Sequence, residues 1–227
     1  MVKKITGLVV PLDLSKYPAL AGQEEALEEV ARQIHTEMYW KEAPVELLDG
    51  EGIQLVGGPA FHSFYLAEVF RNAARVSVVC VTLGRALPAY IQEKMGAGAF
   101  HMAALADAYG SACVEALAEK WMDLRRQEER PRGFHPTMRF SPGYGDFALE
   151  DQPKIIDWLG ISNRVTVTES YLLDPEKTIT FLAGWSKVPQ DTAYPSQKPP
   201  AGGKRNPCPG GGNCRACTTT ACDTLKK

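Results

Sequence analysis

At Lys187 the chain changes character, and this break bounds what it can fold into. From there it reads KVPQDTAYPSQKPPAGGKRNPCPGGG, rich in Pro, Gly and polar residues and without helical or strand period. Such a segment cannot bury enough apolar surface to offset its ordering entropy, so it reads as a linker. A packed body must therefore come from residues 1–186, followed by a Pro/Gly-rich linker at 187–206 and a Cys-cluster tail at 207–227. Charge follows the same division. The net charge of −2 conceals +5 in residues 187–227 and −7 in the remainder, as expected of a body and an appendage with its own task.

The body has the material for a core: 44% of the 227 residues are hydrophobic and 23% charged, so folding does not require disulfides. No apolar run approaches the ~18 residues of a membrane span. The opening Met1-Val2-Lys3-Lys4 precedes only a short apolar stretch ending at Pro11, too short for a secretory signal. The expectation is a cytoplasmic protein with no membrane partner. No internal repeat is evident.

Periodicity predicts the elements. Leu27, Val30, Ile34 and Met38 recur at helical spacing, predicting an amphipathic helix over 22–39 with acids in its first turns. Residues 76–82 (VSVVCVT) are β-branched and closed by Gly84, a buried strand, between helical stretches at 62–74 and 85–95. The most secure helix spans 103–126, with Leu105, Tyr109, Cys113, Leu117, Trp121 and Leu124 on one stripe. Its Ala/Gly/Ser-rich first half invites close approach by another backbone or a ligand. Asp107, Ser111 and Glu115 form one polar line along it, which by helix geometry alone is a solvated face. A helix at 152–159 would be capped by Asp151 and ended by Gly160. Residues 165–168 and 178–181 alternate like strands, with Asp174-Pro175-Glu176-Lys177 as a type I turn of a hairpin. Helices and strands mix without strict alternation, which gives α+β.

Residues 139–146, Arg-Phe-Ser-Pro-Gly-Tyr-Gly-Asp, carry the chemistry. Pro142 fixes φ while Gly143 and Gly145 free it, so the backbone can press against a ligand. Arg139 offers a rigid fork for a carboxylate, and Tyr144 an aromatic face for a cationic or planar group. As bare spacing, an ordinary tight turn with a surface Arg fits equally well.

RFSPGYGDFALEDQPKIIDWLG, followed by TVTESYLLDPEKTITFLAGWS, resembles the activation domain of cobalamin-dependent methionine synthase. VTLG (81–84) and LADAYGSACVEALAEKW (105–121) resemble its free-standing form, and the likeness is strongest over 76–186. The resemblance implies an α+β fold, a curved antiparallel sheet with flanking helices, and a role in methionine biosynthesis. It implies S-adenosylmethionine in a shallow groove, docked over a partner that holds the cobalamin. There, one electron, commonly from a flavodoxin or ferredoxin, converts inert cob(II)alamin to cob(I)alamin, which takes the S-adenosylmethionine methyl group. Mapped by motif, Arg139 grips the ligand carboxylate, while Pro142, Gly143, Tyr144 and Gly145 line the adenosyl or sulfonium side. The chain also departs from the family. Ser111 stands where the helix usually presents an acid to the ligand ammonium, with Glu115 one turn later as the nearest substitute. Gly133 stands near the acid that often precedes the signature, and Gly145 replaces the Pro of enzyme-fused domains. These changes predict weak S-adenosylmethionine binding, or binding only on the docked partner.

In the tail, Cys208, Cys214, Cys217 and Cys222 put four thiols in fifteen residues, with Gly210–Gly212 allowing the chain to wrap. In a cytosolic setting this predicts a metal site rather than disulfides. Four thiolates suit an iron–sulfur cluster or zinc. The inferred need for a low-potential electron favours iron–sulfur, whose potentials reach ~−700 mV. A zinc knuckle on single-stranded nucleic acid is disfavoured, since no His lies in the motif and no aromatic residue lies in 195–227 to stack on a base. His35, His62, His101 and His135 lack metal-ligand spacing, Cys80 and Cys113 read as core thiols, and Gly57-Gly58-Pro59 reads as a turn. Two functions follow: reactivation of a cobalamin-dependent methyltransferase, methionine synthase foremost, or a non-catalytic corrinoid-protein or S-adenosylmethionine binding module with a structural zinc tail.

Overall fold

The computed structural model describes residues 1–9, 12–48 and 50–189. Its centre is the strand β5 (Ala73–Thr82), whose Val, Ser and Cys side chains are buried from Val76 onward. A near-continuous apolar run of this kind needs cover on both faces, and it has it. Val79 and Val81 point into one core, Val76, Val78 and Cys80 into another. Antiparallel neighbours flank β5: β2 (Glu37–Leu47) on one side and β9 (Thr178–Ser186) on the other. Beyond β9 lies the edge strand β6 (His135–Phe140). Beyond β2 lie β1 (Lys3–Thr6), β3 (Gly52–Leu55) and β4 (Ala60–His62). The seven-stranded sheet is antiparallel throughout.

Helices close both faces. On one, α4 (Phe100–Glu129) packs with α3 (Ala86–Gly96), and Trp121 meets Trp40 and Phe181 edge to face. The short α1 (Glu24–Ala31) rests against α4 through Leu27. On the other face lie α2 (Phe64–Val69) and α5 (Gln152–Leu159). The expected α+β architecture, an antiparallel sheet with flanking helices, is what the chain adopts.

Four local expectations are corrected. The helix expected over 22–39 stops at Ala31, and Met38 is instead a buried strand residue opposite Val81. Its spacing from Ile34 mimics a helix, but sheet pairing on both sides of β2 satisfies far more backbone than one extra turn would. Likewise, only Phe64–Val69 of 62–74 is helical, because Ala73 already opens β5. The hairpin is also different. Thr166–Val167 (β7) pairs with Leu173–Asp174 (β8), while Thr178 onward joins the main sheet between β5 and β6. The Asp174–Pro175 bond is cis. Helix α5 has the expected bounds and ends at Gly160 with φ 72°, but Asp151 pairs with Lys154 instead of capping it.

The glycine in the small-residue half of α4 has a packing reason. A Cβ on Gly110 would stand 2.6 Å from Leu87 Cδ2 and 3.4 Å from the Lys177 side chain. Close approach there is made by α3 and by the stalk of Lys177.

Candidate functional site

Arg139 lies on the edge strand β6 opposite Ala183 of β9. Its side chain crosses the face covered by α4, with the guanidinium 5.3 Å from the centroid of the Phe181 ring. From there Nη2 reaches Glu119 Oε1 at 2.8 Å and Glu115 Oε2 at 3.3 Å. The arginine side chain is 22% exposed and both glutamates are more than half exposed. Ion pairs this open to water contribute about 0–1 kcal/mol. A ligand can therefore exchange with them at little cost, while the ring fixes the guanidinium in place.

The bend after β6 is rigid. Gly143, at φ 93°, donates its N–H to the Phe147 carbonyl at 2.8 Å, and Phe147 N–H donates to the Tyr144 carbonyl at 3.0 Å. Phe147 stacks on Phe140 beneath the bend, both rings buried. Asp146 takes hydrogen bonds from the Ser63 hydroxyl and the Phe64 and Tyr65 amides, which ties the bend to the start of α2. Tyr144 projects outward, 60% exposed. The backbone of Pro142–Gly145 is thus a fixed platform carrying one free aromatic ring.

Along α4 the acidic line is met by cations. Lys177, the residue before β9 and largely buried, donates to Asp107 Oδ1 at 2.7 Å and to Ser111 Oγ at 2.9 Å. Ser111 Oγ donates in turn to the Asp107 carbonyl. The structure therefore brings Glu115 to Arg139 and places Ser111 one turn away in the hold of Lys177. The line is not merely a solvated face.

Sequence reasoning missed three residues here. Glu119 continues the i, i+4 line of Glu115, a signal that was available. Asp146 and Lys177 act across more than sixty residues of sequence, and nothing local announces either contact. Among the described residues no group of three or more His, Cys, Asp or Glu is placed to hold a metal. Cys208, Cys214, Cys217 and Cys222 lie outside the described residues. Cys80 and Cys113 are buried. Burial pushes the Cys113 thiol up to about 11, with the Tyr109 hydroxyl partly opposing the rise, and pushes Cys80 higher still. Both are poor nucleophiles. No helix among the described residues is long and apolar enough to cross a membrane.

No protein-family model and no curated protein matches the chain. Among solved structures it is similar to the crystal structure of the MetH reactivation domain bound to AdoHcy. The TM-score is 0.63 at 12% identity, covering 86% of this chain and 80% of that one. The chain thus has the fold of a MetH reactivation domain.

Proposed function

We propose that this protein is a reactivation factor for a cobalamin-dependent methyltransferase, methionine synthase foremost, and that it presents S-adenosylmethionine to the partner's corrinoid. The observation that carries this reading is the Arg139 guanidinium shared by Glu115 and Glu119, on the fold of a domain that binds AdoHcy.

The residues fit the ligand's chemistry. S-adenosylmethionine has one carboxylate and two cationic centres, an ammonium and a sulfonium, and the site offers one guanidinium and two carboxylates. Arg139 would hold the ligand carboxylate as a charge-assisted fork. The Pro142–Gly145 backbone and the Tyr144 ring would line the adenosyl and sulfonium side, where an aromatic face favours positive charge. Because Tyr144 and the flanking acids are exposed, the methyl group would face outward toward a docked partner, whose reduced cobalamin would accept it. Cys208, Cys214, Cys217 and Cys222 are a four-thiolate donor set that would hold an iron–sulfur cluster or zinc. An iron–sulfur cluster would supply a low-potential electron in place of a flavodoxin or ferredoxin.

The test is anaerobic. The protein is mixed with a cob(II)alamin-loaded methionine synthase lacking its own activation domain, a reductant and S-adenosylmethionine, and the corrinoid spectrum is followed. Methylation of the corrinoid that depends on this protein is expected. AdoHcy binding without methylation of any corrinoid partner supports the alternative, a binding module with a structural zinc tail.

A further inference from the structure

We propose a second ligand site, on the side of the sheet away from Arg139: a cavity over Gln152 that takes a neutral planar ring bearing a primary carboxamide. The proposal goes beyond the functional reading above and does not use the residues that reading assigns.

Alternation along β9 separates the two sites. Phe181, beneath the Arg139 guanidinium, faces α4, whereas Thr180 and Leu182 face α5. On the α5 side a cavity of about 270 Å³ lies between Leu149, Gln152 and the segment 171–176. That is close to the lower end of small-ligand pockets, ~300 Å³, and suits one substituted ring rather than a whole nucleoside.

Gln152 supplies the polar floor. The residue is 6% exposed, and its Oε1 accepts from the Thr180 hydroxyl at 2.6 Å. Its Nε2 carries no hydrogen bond among the described residues, yet it is not sealed off from the outside. A nearly buried amide donor without a partner is costly, and the cavity is where that partner would sit. The Thr180 bond also fixes the amide, so the free N–H is already oriented before a ligand arrives.

The rim decides the class of ligand. Glu176 is exposed and has no hydrogen bond or ion pair among the described residues, and no Lys, Arg or His lines the cavity. An anion would meet Glu176 without a counter-charge, and a bare ammonium would meet the Gln152 donor. A primary carboxamide satisfies both, its oxygen accepting from Nε2 and its N–H donating to the carboxylate. Leu149, Leu172 and Leu173 give the ring behind it apolar walls. Tyr171 closes one side from a left-handed backbone, φ 61°, a conformation that a bulky residue adopts at a cost and that is found where function requires it.

The test uses nicotinamide as the probe and nicotinate, its anionic isostere, as the control, with the full chain followed by heteronuclear NMR. Nicotinamide should bind in the millimolar range expected of a fragment, shifting the Gln152 side-chain amide and the Leu149 and Leu172 methyl signals. Nicotinate should bind about tenfold more weakly, from repulsion by Glu176. Gln152→Leu also breaks the Thr180 bond and endangers folding, so the deciding variant is Glu176→Lys at the exposed rim, which should reverse the preference. AdoHcy at saturation should leave nicotinamide bound. The proposal is overturned if those signals stay in place at tens of millimolar nicotinamide, if wild type or Glu176→Lys treats the two probes alike, or if AdoHcy displaces nicotinamide. If AdoHcy itself fails to bind, the functional reading fails while this site stands.

Discussion

The carboxylate of Asp146 accepts a hydrogen bond from the hydroxyl of Ser63, the residue that caps α2. Through it, a bend at the end of an edge strand is fastened to a helix start some eighty residues earlier in the chain. The bend owes its shape to local Pro and Gly chemistry, but its position in the fold comes from this distant contact.

Removing that tie should loosen the platform. Asp146→Ala abandons the Ser63 hydroxyl and two backbone amides, and is expected to cost about 2 kcal/mol of stability, the range for hydrogen bonds to a charged acceptor. Limited proteolysis should then cleave within 141–147 before the rest of the body. A variant with wild-type melting temperature and no new cleavage there would show that the bend holds itself.

A second prediction concerns the buried charges beneath the sheet. Arg125 is 4% exposed and donates to Glu129, which is fully buried, at 2.7 Å. Arg125 also pairs with Glu42 and Glu128, and Arg75 pairs with Glu129 from the other side. Arg125→Met strands Glu129 with less compensation and should destabilise the fold by roughly 3 kcal/mol. The double variant Arg125→Met/Glu129→Leu should recover part of that loss. Chemical denaturation of the three proteins decides the matter, and equal losses in single and double variants would contradict it.

Much of this was legible in sequence, and the misses share a cause. The bounds of α5 and the core of β5 follow from local signals: a glycine stop, and a β-branched run too apolar to be half exposed. Helix α4 runs three residues further at each end than its apolar stripe marks. The helix expected through Met38 and the hairpin expected at 165–181 failed where periodicity was ambiguous over one or two turns and long-range sheet pairing decided. The site divides in the same way. Arg139, the Pro142–Gly145 bend and Glu115 were visible as a motif and a helix line. That Lys177 would cross to Ser111 could not be seen, because contacts between distant residues leave no periodic trace.

Alkaline pH should weaken the body through its core thiols. Burial raises the Cys113 pKa to about 11 in the folded state, from an ordinary value near 9, so the folded protein holds a proton that the unfolded chain releases earlier. The associated stability is fully present below pH 9 and is lost as pH rises toward 11. The total is on the order of 2 kcal/mol, and Cys80 adds in the same direction. Unfolding measured at pH 8 and pH 10.5 should show a smaller drop for Cys113→Ala than for wild type, and identical drops would contradict this.

The tail makes its own prediction. Anaerobically purified protein is expected to be coloured and to contain iron and sulfide, and replacing Cys214 and Cys217 by Ser should abolish both. Colourless protein with stoichiometric zinc would remove the tail as an electron source while leaving the Arg139 site untouched.

The central claim is that Arg139 clasps the amino-acid end of S-adenosylmethionine, and titration with AdoHcy into the millimolar range tests it most directly. Wild type should bind, and Arg139→Ala should bind more weakly by roughly 1.5–3 kcal/mol, the loss of a hydrogen bond to a charged group. Equal affinity in the two proteins, or no binding by wild type, would contradict the account.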